Sequence, residues 1–185
     1  MSKVFRFFLL VFLICTHVNA MNDILSSDNG IIRFRSDAPL ELIKASSNEL
    51  RGLIDPEKRT FAFHIRIRSF KGFNSGLQRE HFNENYMESD KFPEATFAGK
   101  IIEQVDFLQD GRYSIRAKGI LKIHGVEQER IIKCDVSFHN GVAHVESKFI
   151  VLLSDHDIKV PKVVHENIAS EVIVEVIADF KKRAN

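Results

Sequence analysis

Residues 112–153 read RYSIRAKGILKIHGVEQERIIKCDVSFHNGVAHVESKFIVLL, and their alternation decides the fold. Tyr113, Ile115, Ala117, Gly119, Leu121 and Ile123 share one face of an extended segment. Arg112, Ser114, Arg116, Lys118 and Lys122 share the other, interrupted only by Ile120. The same period-two pattern sets Ile132, Cys134, Val136 and Phe138 against Lys133, Asp135, Ser137 and His139. It then sets Val145, Phe149, Val151 and Leu153 against His144, Glu146 and Lys148. Such alternation marks half-buried strands. Asn140-Gly141 is a strong two-residue hairpin signal. It pairs His139 with Val142, Phe138 with Ala143, Val136 with Val145, Cys134 with Ser147 and Ile132 with Phe149. Read as a second two-residue loop, His124-Gly125 pairs Ile123 with Val126, Ile115 with Cys134 and Tyr113 with Val136. Both turns deliver the same inward face, whereas a one-residue slip inverts every side chain. Only Gln128 and Arg130 then point inward against type, which places them near a barrel end.

Working outward, Phe61, Phe63, Ile65 and Ile67 alternate with Ala62, His64, Arg66 and Arg68. Val172, Val174, Val176, Ala178 and Phe180 face away from Glu171, Glu175, Asp179 and Lys181. Weaker strands are expected at Gly30–Ser36, Leu40–Ala45, Glu49–Asp55 and Ala95–Val105. Short helices are expected at Leu77–Tyr86 and at Pro161–Ile168, where Pro161 suits a first helical position. The count is eight or nine antiparallel strands in one domain over about residues 28–182. Long strands with one apolar face close well into a barrel, which also removes exposed edges. A two-sheet sandwich is the alternative. An eight-stranded barrel is either filled by its own side chains or holds one small ligand.

The chain has 185 residues, with 26 basic and 25 acidic side chains. This balance argues against a nucleic-acid binder, which concentrates positive charge. Lys3 and Arg6 precede the apolar run Phe7–Ile14, and Val18-Asn19-Ala20 ends in a small residue. That is the layout of a secretory signal peptide over residues 1–20, cleaved after Ala20. The run is too short for a membrane span, which needs about 20 apolar residues. Export places the mature chain in the periplasm or outside the cell. Ile14 before Cys15 argues against lipidation there, because a lipoprotein carries a small residue at that position. Cleavage removes two basic residues and no acids, leaving 24 basic and 25 acidic groups. Cys134 is then the one cysteine, so no internal disulfide forms, and its place in a strand pattern makes it a buried small hydrophobe.

Candidate chemistry is sparse. His139 and His144 flank the Asn140-Gly141 turn but face away from the apolar side. Asp155-His156-Asp157 offers metal-ligand residue types, yet reads more simply as a polar turn after the Val145–Leu153 strand. Gly72-Phe73-Asn74-Ser75-Gly76 puts its serine one place too late for a nucleophile elbow. Glu80, Glu84 and Glu88 mark the wet side of a helix. No catalytic residue, no metal site and no buried titratable pair is expected. What stands out is apolar bulk, with twelve phenylalanines after residue 20. It serves either a packed core or an apolar pocket.

Three segments resemble the YceI-like, polyisoprenoid-binding family. Leu77-Gln78-Arg79-Glu80-His81-Phe82 followed by Lys91-Phe92-Pro93-Glu94-Ala95-Thr96-Phe97 is similar to its short helix and K-[YF]-P-x-[AI]-x-F strand entry. Gly119-Ile120-Leu121-Lys122-Ile123-His124-Gly125-Val126 is similar to its G-x-L-x-I-[HN]-G-V hairpin. Asp157-Ile158-Lys159-Val160-Pro161 with the strand Val172–Val176 resembles its closing segment. The usual V-x-F-x-[VI]-x-H opening strand is replaced by Ile31-Ile32-Arg33-Phe34-Arg35, without the histidine. The resemblance implies an all-β, extended antiparallel eight-stranded lipocalin-like barrel with one or two short helices. It also implies a non-catalytic exported protein whose apolar tunnel holds an amphiphilic isoprenoid-type lipid, such as a quinone or polyprenyl lipid. Combined with the alternation, it assigns the tunnel lining to Phe61, Phe63, Ile65, Tyr113, Ile115, Leu121, Val136, Phe149, Val151, Val172 and Val174. Tyr113 is the candidate hydrogen-bond partner for a polar head. The rival reading is a filled barrel acting as a structural or stress-related interaction protein of the cell envelope.

Overall fold

The computed structural model describes residues 24–105, 109–164 and 166–183. The expected signal peptide, residues 1–20 with Cys15, lies outside the described residues. Eight antiparallel strands form a closed barrel in simple chain order. They are β1 (Leu25–Asp37), β2 (Leu42–Asp55), β3 (Thr60–Arg66), β4 (Glu94–Ile101), β5 (Gly111–Ile123), β6 (Val126–His139), β7 (Val142–Leu152) and β8 (Glu171–Lys182). Pairing of β1 with β8, including Phe34 opposite Val174, closes the ring. One α-helix, α1 (Gly76–His81), continues into a π-helical turn at Phe82–Tyr86. The sandwich alternative is therefore excluded. Among the described residues no helix is long and apolar enough to cross a membrane.

The two decisive turns form as read. His124 and Gly125 have φ of 51° and 76°, and Asn140 and Gly141 have φ of 50° and 75°. Positive φ at both central residues gives the twist that antiparallel neighbours require. β5 pairs with β6 from Gly111 opposite Phe138 to Ile123 opposite Val126. β6 pairs with β7 from His139 opposite Val142 to Cys134 opposite Ser147. The ladder stops there, short of the expected Ile132–Phe149 pair. Beyond it the Arg130 guanidinium donates to the Ile150 carbonyl at 2.8 Å. Gln128 and Arg130 do lie at a barrel end. A 3₁₀ turn at Leu153–His156 covers them, and Gln128 Nε2 donates to the Asp155 carbonyl at 2.7 Å.

Other expectations need correction. Leu40–Ala45 and Glu49–Asp55 are not two strands but parts of β2. Register shifts in its pairing with β1 flank Gly30 opposite Leu50. The buried positions accordingly run Ala45 and Ser47, then Leu50, Gly52 and Ile54, so the period breaks mid-strand. Ser47 survives burial because its Oγ meets Ser69 Oγ at 2.7 Å and accepts from Glu49 N at 3.1 Å. β4 ends at Ile101 instead of Val105. The Pro161–Ile168 helix is reduced to one 3₁₀ turn, Lys162–Val164.

The barrel has two different ends. At the end bearing Asn140-Gly141, Phe138, Ala143 and Phe180 join Ile54, Phe61 and Ile101 in a dense plug. Phe180 is fully buried. At the other end the long β3–β4 connection, carrying α1, lies over the opening. There Phe34, Phe70, Phe73 and Phe82 gather with ring centroids 5.0–5.9 Å apart. Edge and offset ring contacts of this kind contribute beyond simple burial.

His156 sits under the mouth end and is completely buried. Its Nδ1 meets the Val126 carbonyl at 3.2 Å, and its Nε2 has no hydrogen-bond partner within normal geometry among the described residues. Burial lowers its pKa below the ordinary histidine value. The unfolded chain then takes up this proton first, near pH ~6.5. The resulting stability is complete above that pH and is lost as pH falls. His144 has the opposite sign, because hydrogen bonding to Asp179 at 2.6 Å raises its pKa. Its contribution is present at low pH and lost as pH rises through the folded value, and its exposure keeps it small. Melting curves from pH 7.5 to 5 should therefore fall for the wild type and fall less steeply for His156→Leu. Equal slopes for the two proteins would contradict the burial of a neutral imidazole.

Candidate functional site

Between plug and mouth the barrel encloses a cavity of about 630 Å³. Its size is within the usual range for sites that take a small molecule. A barrel filled by its own side chains does not fit this volume. Strand alternation builds the walls. Phe61, Phe63 and Ile65 come from β3, Ile115 and Leu121 from β5, and Val136 from β6. Phe149 and Val151 come from β7, and Val172 and Val174 from β8. All ten were expected at the tunnel wall and all line the cavity.

Tyr113, the eleventh, does not line it. β5 runs from the plug towards the mouth, and Tyr113 lies two residues plugward of Ile115. Its ring meets Phe138 edge-on at 5.9 Å, packed against the plug. Tyr86 lines the cavity instead. Burial raises its pKa, so the phenol stays protonated as a hydrogen-bond donor.

Sequence periodicity missed the mouth half of the lining. Phe70, Phe73, Phe82 and Met87 reach the cavity from the β3–β4 connection, where no strand period operates. Phe97 and Phe34 sit on inward strand faces and were within reach of the same reading. Cys134 also lines the cavity, beside Ser147. Burial pushes its thiol pKa up, which keeps it unreactive at neutral pH.

Polar groups collect at the rim. Gln78 Nε2, from α1, donates to Glu41 Oε1 at 2.7 Å, and Asn167 Nδ2 donates to Glu41 Oε2 at 3.4 Å. Ser75 caps α1 by accepting from Gln78 N at 3.1 Å, which fixes where Gln78 points. Ser36 Oγ accepts from Ala169 N at 3.0 Å. Three connections are thus tied across one opening. Among the described residues Glu41 is the one acid that lines the cavity, and no Lys or Arg lines it.

Among the described residues the titratable side chains that line the cavity are Glu41, His64, His81, Tyr86 and Cys134. Contrary to expectation, a partly buried pair does exist: His124 Nε2 lies 2.7 Å from Glu88 Oε2, and Nδ1 lies 3.0 Å from the His156 carbonyl. Glu88 follows the π-helical turn and has φ of 41°, which turns it from the expected wet helix face. The pair ties the β3–β4 connection to the β5–β6 and β7–β8 connections, and neither member lines the cavity. In Asp155-His156-Asp157 the imidazole turns inward while Asp155 lies 3.6 Å from Arg130. Among the described residues no three His, Cys, Asp or Glu side chains are placed to hold a metal.

The geometry combines a largely apolar chamber with polar groups gathered mostly at its rim. Comparison with solved structures gives the same fold. A polyisoprenoid-binding domain from Saccharophagus degradans implicated in plant cell wall breakdown aligns with a TM-score of 0.72 at 13% identity. The alignment covers 87% of this chain and 99% of that one. Burkholderia cenocepacia BcnA aligns with a TM-score of 0.67 at 14% identity, over 81% and 95% of the two chains. The Campylobacter jejuni YCEI protein aligns at 0.55 and 13%, over 71% and 78%. No curated protein gives a significant sequence match. The family model for the YceI-like domain matches residues 40–180, from the mouth carboxylate Glu41 through the plug residue Phe180. The chain belongs to the YceI-like domain family.

Proposed function

We propose that this protein is an exported, non-catalytic carrier that sequesters an amphiphilic isoprenoid-type lipid in the barrel cavity. One observation carries the reading: a cavity of about 630 Å³ is walled mainly by apolar strand residues, and most of its polar groups gather around the rim. Burying the apolar chain of a ligand contributes roughly 25 cal/mol per Å² removed from water, which drives loading without chemistry. Glu41, Gln78, His81 and Tyr86 supply hydrogen-bonding groups for a head, and the aromatic cluster above β1 covers the chain. The family match and the polyisoprenoid-binding domain that shares this fold support the ligand class. Residues 1–20 supply the export signal.

Cys134 reports occupancy. In the cleaved chain, where Cys134 is the one cysteine, its alkylation at alkaline pH should slow about tenfold when a long-chain isoprenoid quinone fills the cavity. Short water-soluble quinone analogues should protect less. An alkylation rate indifferent to every isoprenoid would overturn the proposal.

A further inference from the structure

The outer wall carries a second feature unrelated to the cavity's apolar lining. A groove of about 420 Å³ is lined by Arg33, Arg35, Lys44, Lys71 and Lys148, with Glu175 as its one acid. Strand register brings them together. Lys148 pairs with Glu175, Glu175 with Arg33, and Arg33 with Ser46, which bridges to Lys71. One row further towards the mouth, Ile150 pairs with Ile173, Ile173 with Arg35, and Arg35 with Lys44. Lys148 takes Glu175 at 2.8 Å, and Arg35 takes Asp37 at 2.8 Å. Among the described residues Arg33, Lys44 and Lys71 make no ion pair. The whole chain has a formal charge of only +1, so this surplus is local. Apolar side chains lie beside the cations: Ile150 is 44% exposed, and Leu152, Leu42 and Leu40 are exposed at the mouth ends of their segments.

We propose that this β7–β8–β1–β2 wall docks on the surface of an anionic lipid bilayer and so brings the barrel mouth beside the membrane. The surplus of cations over the single groove acid matches lipid phosphates, and the neighbouring Ile and Leu side chains suit the interfacial zone beneath them. Docking rests on the carrier reading for its purpose, since cargo of this class resides in membranes, but its physics is independent of cargo. Arg33, Arg35, Lys44 and Lys71 all sit in the mouth half of the wall, where a lipid chain enters or leaves.

The test is co-sedimentation of the purified protein with vesicles of phosphatidylcholine alone or with one part in three of phosphatidylglycerol. The anionic vesicles should bind at least about tenfold more tightly at low salt, and the difference should shrink as salt is raised. Combined Arg33→Glu, Lys44→Glu and Lys71→Glu should weaken binding by at least about tenfold. Combined Lys100→Glu, Lys118→Glu and Lys122→Glu changes net charge equally on the β4–β5 wall and should change binding by less than about twofold. Equal loss in both triple variants, or no preference for anionic vesicles, overturns the proposal. Binding of inorganic phosphate without vesicle binding overturns it too, and makes the groove a soluble-anion site. Cargo content is measured on the same preparations. A wild type that binds anionic vesicles but stays empty, as isolated and after exposure to long-chain quinones and polyprenyl lipids, leaves docking standing and removes the carrier reading.

Discussion

Gly99→Ala is expected to destabilise the barrel by about 3 kcal/mol or more. Gly99 on β4 lies directly opposite Gly119 on β5. A Cβ at position 99 would sit 2.1 Å from the Lys118 carbonyl oxygen and 2.5 Å from Gly119 Cα. Both are backbone atoms in a strand paired on each side, so neither can swing away as a side-chain tip can. The reciprocal clash at Gly119 is 2.3 Å to the Ala98 carbonyl oxygen. Two facing glycines let these strands approach closely where the sheet bends into a barrel. For a chain of this size the loss corresponds to a melting temperature lower by roughly 6–12 °C. Gly76→Ala is the control, because a Cβ there meets nothing within 4 Å. It should melt with the wild type. Matching melting temperatures for Gly99→Ala and Gly76→Ala would show that the β4–β5 approach is not tight.

Phe63→Arg is the second large effect, and it acts on cargo instead of the fold. Phe63 lines the cavity and is half-buried, between Phe61 at 6.1 Å and Phe180 at 5.6 Å. The cavity has room for the longer side chain, while its charge has no acidic partner among the lining residues except Glu41 at the rim. An unpaired charge draws water into the chamber and penalises an apolar chain there, so retained lipid should drop at least about tenfold. Phe63→Leu keeps the wall apolar and should retain cargo. Circular dichroism and melting report whether Phe63→Arg still folds. A folded Phe63→Arg protein carrying wild-type amounts of lipid would remove the cavity from the binding path.

What was legible in the sequence follows from where local rules act alone. Between Tyr113 and Val151 strand period, turn chemistry and register agree, so the inward faces and the pairings could be read directly, except Ile132 with Phe149, beyond the end of the β6–β7 ladder. The β2 segment defeated the same reading because register shifts flank its Leu50 pairing. A buried serine pair, Ser47 with Ser69, then stood where a turn signal was expected. The mouth half of the site was hidden for a different reason. Phe70, Phe73 and Phe82 belong to a connection without period, and Glu41 meets Gln78 across 37 positions of chain. Only the closed barrel brings these groups together. Tyr113 shows the limit of face assignment: alternation gives the side of the wall correctly, but not whether the residue stands in the chamber or in the plug. The His124–Glu88 pair was missed because Glu88 was placed on a helix, whereas positive φ turns it towards the β5–β6 hairpin.

The most direct measurement is native mass spectrometry of the exported protein after gentle purification, followed by solvent extraction. The expected polypeptide mass is that of residues 21–185, with one isoprenoid-type lipid per chain released on denaturation. Extraction then identifies the head and the chain length. A protein that stays empty, both as isolated and after exposure to long-chain quinones and polyprenyl lipids, would contradict the carrier function.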